Sequence, residues 1–351
     1  MDKVTEVNMI DKVRSITSSI KADVDKLIFE RLPSTNPVRE VQLLYDMMRD
    51  YPMRPGKGLR PVQCVLYCKA FGGDGDKAIL TAAALELFQN WIVIHDDIED
   101  GSELRRGDPS LHYKHGVPLA INAGDALAGR MWDMLLSNQK FLGEIKTLKL
   151  FELFLEMLHR TTSGQHIELS WVENGAWELA EEDYAEMCRL KTAYYTCVVP
   201  AVAGAVIAGY NGNLEDKIQE VGLNLGVAFQ IRDDILNLVG DVGKYGKEIL
   251  GDISEGKRTL IVIHFMNNAS KTDRDEFLMI MSKPREEKSD EEVNRVMDLF
   301  QKYGSIDYAR GVSKDLAQKA KKSFMELDFP GPLEAVEDLK VLIDYMVDRD
   351  C

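Results

Sequence analysis

The chain has 351 residues, 45% hydrophobic and 29% charged, with a net charge of −15. That length allows about two domains and a large core. The acidic balance argues against a nucleic-acid or anionic-membrane binder, which needs a basic excess. Cys64, Cys68, Cys188, Cys197 and Cys351 are too few and too scattered for a disulfide scaffold or a zinc finger, and read as reduced core thiols of a cytoplasmic protein.

Met1 to Ile20 mixes charges with apolar residues and carries no signal-peptide core. Helical periods dominate from there on, and strand signals are almost absent. Helices are predicted near 8–31, 37–50 and 59–71. Asp76 to Asp100 is free of Gly and Pro, a helix of about 37 Å. Apolar residues surround it on nearly all sides, which places it inside a bundle. Further helices are predicted near 117–138, 143–172 and 181–210, then 214–238, 256–268 and, in pieces, 289–349. The longest nearly uncharged run, about Thr192 to Asn211, contains Pro200 and two glycines. It reads as a buried helix and no integral membrane segment is expected. The breaks at 174–175, 211–213, 240–256, 267–273 and 282–289 are too short for domain linkers. One all-α domain over 1–351, built on a central bundle, is the expected fold.

The informative stretch is His95-Asp96-Asp97-Ile98-Glu99-Asp100-Gly101. Its carboxylates crowd the C-terminal turn of an apolar helix, where the helix dipole disfavours anions. Asp96 and Asp100 also repel each other as i, i+4 neighbours. A second apolar helix ends the same way, in Phe229-Gln230-Ile231-Arg232-Asp233-Asp234-Ile235-Leu236-Asn237. Gln230, Asp233, Asp234 and Asn237 form one polar stripe. Oxygen-only donors select a hard cation, and Mg²⁺ takes one or two carboxylates with phosphate oxygens and waters. Asp96, Asp97, Asp100, Asp233 and Asp234 are therefore candidate metal ligands, and the pairing points to a metal-bridged diphosphate. A glycosidase pair is a poorer reading, because these are clusters rather than two isolated acids.

A diphosphate also needs cations. Lys57 and Arg60, in Pro55-Gly56-Lys57-Gly58-Leu59-Arg60-Pro61, sit where a loop opens a helix. Arg105-Arg106-Gly107 follows the first acidic cluster, and Lys191-Thr192 lies mid-helix among apolar residues. Lys244, Lys247, Lys257 and Arg258 flank the glycine-rich stretch after the second. That stretch lacks the spacing of a P-loop.

Taken together, these motifs resemble the trans-isoprenyl diphosphate synthases, with the flavour of archaeal short-chain enzymes. The resemblance runs from about Pro55 to Leu260. It rests on Gly-Lys-x-Leu-Arg-Pro, Asp-Asp-x-x-Asp before Arg-Arg-Gly, Asn122-Ala-Gly-Asp125, Gly164-Gln165, Lys191-Thr192, Phe229-Gln230-x-x-Asp-Asp and Gly-Lys…Gly-Asp-Ile. It implies an isoprenoid synthase helical bundle around a deep central cavity, a homodimer, and condensation of isopentenyl diphosphate with dimethylallyl, geranyl or farnesyl diphosphate. By the same resemblance, Asp96, Asp100 and Asp233 hold Mg²⁺, while Arg105, Lys191, Lys247 and Lys257 grip the allylic diphosphate. Lys57, Arg60, Gln89 and Arg106 hold isopentenyl diphosphate. Gln89 lies seven residues before Asp96, within about 20° of it on the helix. Phe229, Thr192 and Gln230 face the allylic carbocation. Two positions depart from the pattern: Asn237 replaces the last acid of the second motif, and Glu168 stands where Asp is usual.

The growing tail runs down the helix that ends in Asp96. Trp91 lies about 7.5 Å before Asp96 and Phe88 about 12 Å, with Ile92 beside them. Bulk there forms a floor, and related enzymes set chain length at these positions. Geranylgeranyl diphosphate is the expected product, with farnesyl diphosphate next. A terpene cyclase on the same fold would not need the clamp of Lys57, Arg60 and Arg106. A non-catalytic or regulatory subunit of a heteromeric synthase would usually lose the acidic motifs.

Overall fold

The computed structural model describes residues 3–210, 215–240 and 249–348. Lys244, Lys247, Asn211–Asn213 and Cys351 lie outside them. The first half comprises α1 (Lys3–Arg31), α2 (Arg39–Met53), α3 (Leu59–Ala70) and α4 (Ile79–Glu99), a minimal hairpin of β1 (Leu104–Arg105) and β2 (Asp108–Pro109), then α5 (Leu111–His115) and α6 (Val117–Ser137). There follow α7 (Gln139–Leu142), α8 (Glu144–Glu173), α9 (Glu181–Cys188), a π-helical segment (Arg189–Val198), α10 (Val199–Ala208) and α11 (Glu215–Val239). The remainder is α12 (Gly251–Glu255), α13 (Leu260–Asn268), α14 (Lys271–Met281), α15 (Asp290–Lys302), α16 (Ser305–Met325) and α17 (Leu333–Asp348). The all-α expectation holds. The predicted helix at 256–268 starts later, where the Thr259 hydroxyl caps Val262 N–H. Helix α14 was not anticipated from the periodicity; Ser270 caps it.

Helix α4 is central, packed on α1, α3 and α6, and α11 lies against α16 and the π segment. The main apolar core gathers α1–α4, α6, α8, α10, α16 and α17. A second cluster, around Phe265, Phe277 and Phe300, lies beneath the C-terminal half of α11, and Leu223 packs against both. Two helical stretches, Gly75–Glu99 and Glu181–Ala208, are long and apolar enough to cross a membrane. Most of each is buried against protein, which makes them core helices.

Pro200 lies just beyond the π segment. Pro200 has no N–H for the carbonyl of Thr196, and its ring crowds that carbonyl. Gln63 Nε2 supplies the missing bond, donating to Thr196 O at 3.0 Å. π turns of this kind cluster at functional sites. Two glycines let the segment sit against its neighbours. A Cβ on Gly164 of α8 would stand 2.2 Å from Lys191 N, and one on Gly226 of α11 would stand 2.3 Å from Ala193 Cα.

Candidate active site

The close crossings bring both acidic helix ends to the π segment. Lys191 Nζ donates to Asp96 Oδ1 at 3.2 Å and to Glu168 of α8. Its neighbour Thr192 donates to Gln230 Oε1 at 2.7 Å, and Gln230 Nε2 donates to Asp234 Oδ1 at 2.8 Å. Lys257, just after α12, donates to Asp100 at 2.7 Å and pairs with Glu255 at 2.9 Å. Gln165 of α8 reaches Asp96 at 3.3 Å and Glu99 at 2.7 Å. Two consecutive π-segment residues thus join the end of α4 to the end of α11.

Charge is concentrated here under low solvent exposure. Burial pushes the Asp100 carboxyl up to about 7 against the pull of Lys257, and Asp96 adds to the rise. Burial also raises Asp234, to about 6, although hydrogen bonds from Tyr184 and Gln230 counter it. Burial opposes the charge on Lys191 and Lys257, yet Glu168 and Asp96 hold the first, and Asp100 and Glu255 the second, above the ordinary lysine range. Buried carboxylates so poorly solvated favour a counter-ion. No group of three or more acidic, His or Cys side chains converges on one metal position among the described residues. The donors at the two acidic helix ends are all oxygens, the type a hard divalent cation takes.

Asp97 and Asp234, expected among the ligands, each have protein partners. Asp97 is fully buried; it accepts from the Tyr51 hydroxyl at 2.5 Å and from Arg105 Nε at 2.8 Å. Asp234 accepts from the Tyr184 hydroxyl at 2.7 Å. Asp233 is half-buried beside it. Arg105, expected on the allylic diphosphate, is buried against Asp97, with Nη2 extending to Asp96 at 3.5 Å. Asn237 plays a structural part, since its Oδ1 accepts from Asp252 N–H at 3.0 Å and fixes the start of α12.

The second set of cations gathers nearby. Arg60 donates to Tyr195 and Thr196 of the π segment at 2.9 and 2.8 Å. Its buried Nε has no protein partner. Arg106, at φ 52°, lays its guanidinium against Gly56 and donates to Tyr51 O at 3.1 Å. Burial and the fields of Arg105, Arg60 and Arg54 lower its pKa, with Glu86 opposing. Lys57 lies 5.3 Å from the Tyr345 ring centroid of α17. Gln89, half-buried on α4, has its Oε1 enclosed without a hydrogen bond.

Farther along α4, Phe88 is buried and meets Trp91 edge-on at 5.6 Å and Tyr195 at 5.8 Å. Trp91 turns toward Gly124 of α6, while Ile92 is half-buried. Phe229 is buried one residue from Gln230. Tyr51, Arg54, Tyr184 and Glu255 were not singled out from the sequence. Nothing in an amphipathic helix distinguishes a tyrosine that pairs with a distant aspartate from one that only packs.

The family model described as polyprenyl synthetase matches residues 41–300. A geranylgeranyl diphosphate synthase of Saccharolobus solfataricus is 35% identical over 84% of this chain and 86% of its own. The structure of a geranylgeranyl pyrophosphate synthetase from Pyrococcus horikoshii superposes with a TM-score of 0.83 at 34% identity, over 97% of this chain and 98% of the other. A polyprenyl synthase from Caulobacter crescentus, solved with calcium and isoprenyl diphosphate, gives 0.84 at 27% identity, over 97% and 98%. The chain belongs to the polyprenyl synthetase family and is a prenyltransferase.

Proposed function

We propose that this single-domain protein is a cytoplasmic, Mg²⁺-dependent homodimer that extends dimethylallyl, geranyl and farnesyl diphosphate with isopentenyl diphosphate, ending at geranylgeranyl diphosphate. One observation carries this reading: Lys191 contacts Asp96 while the adjacent Thr192 connects through Gln230 to Asp234. Both acidic ends therefore belong to one site, in a chain whose family acts on prenyl diphosphates. Asp96, Asp100 and Asp233 would hold the metal ions, which neutralise the leaving diphosphate when bound.

Lys191, Lys257, Lys247 and Arg105 supply cations to that diphosphate, and pre-oriented buried charges of this kind lower the cost of breaking the allylic C–O bond. Phe229 presents an aromatic ring, and Thr192 and Gln230 polar atoms, to the resulting carbocation. Lys57, Arg60, Gln89 and Arg106 hold isopentenyl diphosphate with its double bond toward that carbon. The new C–C bond forms there, and a proton then leaves to the departing diphosphate. Phe88, Trp91 and Ile92 close the tail channel. Exposed Leu119 and Ile121 of α6, Phe141 of α7 and Ile145 and Leu148 of α8 support a second copy as their cover. Incubation with Mg²⁺, dimethylallyl diphosphate and isopentenyl diphosphate, followed by chain-length chromatography, tests the reading. A C20 product lost on chelation is expected; no condensation of the two substrates refutes it.

A further inference from the structure

The end of α2 is tied to the arginine hairpin and to the residues on either side of it. The Tyr51 hydroxyl donates to Asp97 Oδ2 at 2.5 Å and accepts from Leu111 N–H at 3.2 Å. Asp97 in turn takes Arg105 Nε through both oxygens, at 2.8 and 3.1 Å. The carbonyl of the same Tyr51 accepts from Arg106 Nη1 at 3.1 Å. Arg54, 4.4 Å from the Tyr51 ring centroid, donates to the carbonyls of Arg105 at 2.6 Å and Pro109 at 2.8 Å. Side chain and main chain of one residue thus restrain adjacent arginines by separate routes.

We infer that Tyr51 is a positioning residue for the allylic diphosphate: its hydroxyl fixes the Asp97 carboxylate, which aims the Arg105 guanidinium at the Asp96 side of the site. This inference rests on the substrate assignment above. Asp97 is fully enclosed, so without the hydroxyl its Oδ2 keeps only the Arg105 bond and shifts toward it. Arg105 then follows, and Nη2, already at 3.5 Å from Asp96, moves off its line. Arg106 is tied to the Tyr51 carbonyl, which survives replacement of the ring substituent. The consequence is selective for one substrate.

Tyr51→Phe tests it in the full-length enzyme. Expected is a rise on the order of tenfold in KM for the allylic diphosphate, from a hydrogen bond to a charged group, with KM for isopentenyl diphosphate within about twofold of the parent. Asp97→Asn is the second variant and shifts the same KM. In the double variant the two effects fall short of additive, because one coupled contact is lost in both. Equal changes in both KM values, an unchanged allylic KM, or additive effects would overturn the assignment. If Tyr51→Phe does not fold by circular dichroism, Asp97→Asn alone decides, by the same KM split. Absence of turnover in the parent enzyme would instead refute the substrate reading, so the two failures are distinguishable.

Discussion

Gly164→Ala isolates the helix crossing on which the site depends. The added methyl would lie 2.2 Å from Lys191 N and 2.6 Å from Lys191 Cα, both backbone atoms that cannot rotate away. Restoring ordinary contact needs a retreat of about 1 Å between α8 and the π segment, and overpacking of this kind costs about 1–3 kcal/mol. The same retreat carries Lys191 Nζ from its 3.2 Å contact with Asp96 and separates it from Glu168. A displacement of about 1 Å in a reacting constellation costs on the order of 100-fold in rate. Gly129→Ala serves as control: it is an exposed position of α6 with nothing within 4 Å of the new methyl. Ala there adds roughly 0.5–1 kcal/mol of helix stability. The assay is release of labelled product at saturating substrates, with thermal melts of both variants. Expected is a kcat loss near two decades and a lower Tm for Gly164→Ala, against parental kcat and a slightly higher Tm for Gly129→Ala. Parental kcat in Gly164→Ala would show that the crossing does not set the position of Lys191.

Trp91→Ala should lengthen the product on reversed-phase chromatography, because the ring that meets Phe88 edge-on is removed; unchanged length would clear Trp91 as the floor. Lys288→Met should raise the urea midpoint at pH 7.5, with the gain shrinking toward pH 10. Burial, Arg258 and Arg285 lower the Lys288 pKa to about 8. Between about 8 and the unfolded value near 10.4 the folded chain binds fewer protons than the unfolded one, so the parent gains stability as pH rises through that window. A gain independent of pH would contradict the depressed value. Ile145→Glu with Leu148→Glu should halve the mass seen by sedimentation, since both side chains are exposed on α8 and a stable interface there must bury them; an unchanged mass places the dimer contact elsewhere or removes it.

Helices and their burial were readable because breaker-free runs carry apolar residues at helical spacing, on nearly all sides in α4. The acidic ends were readable for the opposite reason: they violate the dipole and like-charge rules within a few residues. What stayed hidden depends on contacts far apart in sequence. The π segment requires Gln63, well over a hundred residues away, to satisfy the carbonyl that Pro200 leaves unpaired. Helix α14 carries Lys, Asp, Arg and Glu through its first turns, which masked its short apolar face of Phe277, Ile280 and Met281. The structural part of Asn237 was hidden because the Asp252 N–H that its Oδ1 accepts lies 15 residues on, beyond any helical period.

The two Asp-Asp doublets show how a local sequence pattern divides its labour in three dimensions. Successive residues on a helix point about 100° apart, so two neighbouring aspartates cannot face the same space. In the first doublet, Asp96 meets Lys191 across the site while Asp97 turns inward to Tyr51 and Arg105. In the second, Asp234 turns inward to Tyr184 of α9 and to Gln230. A buried tyrosine from another helix therefore holds the second aspartate of both doublets. An inward carboxylate left alone would carry the full cost of burial; a neutral hydroxyl relieves it without adding charge to the site. Of the anions at these helix ends, unfavourable by local rules, one in each doublet thus fastens its helix to the scaffold: Asp97 on α4 and Asp234 on α11.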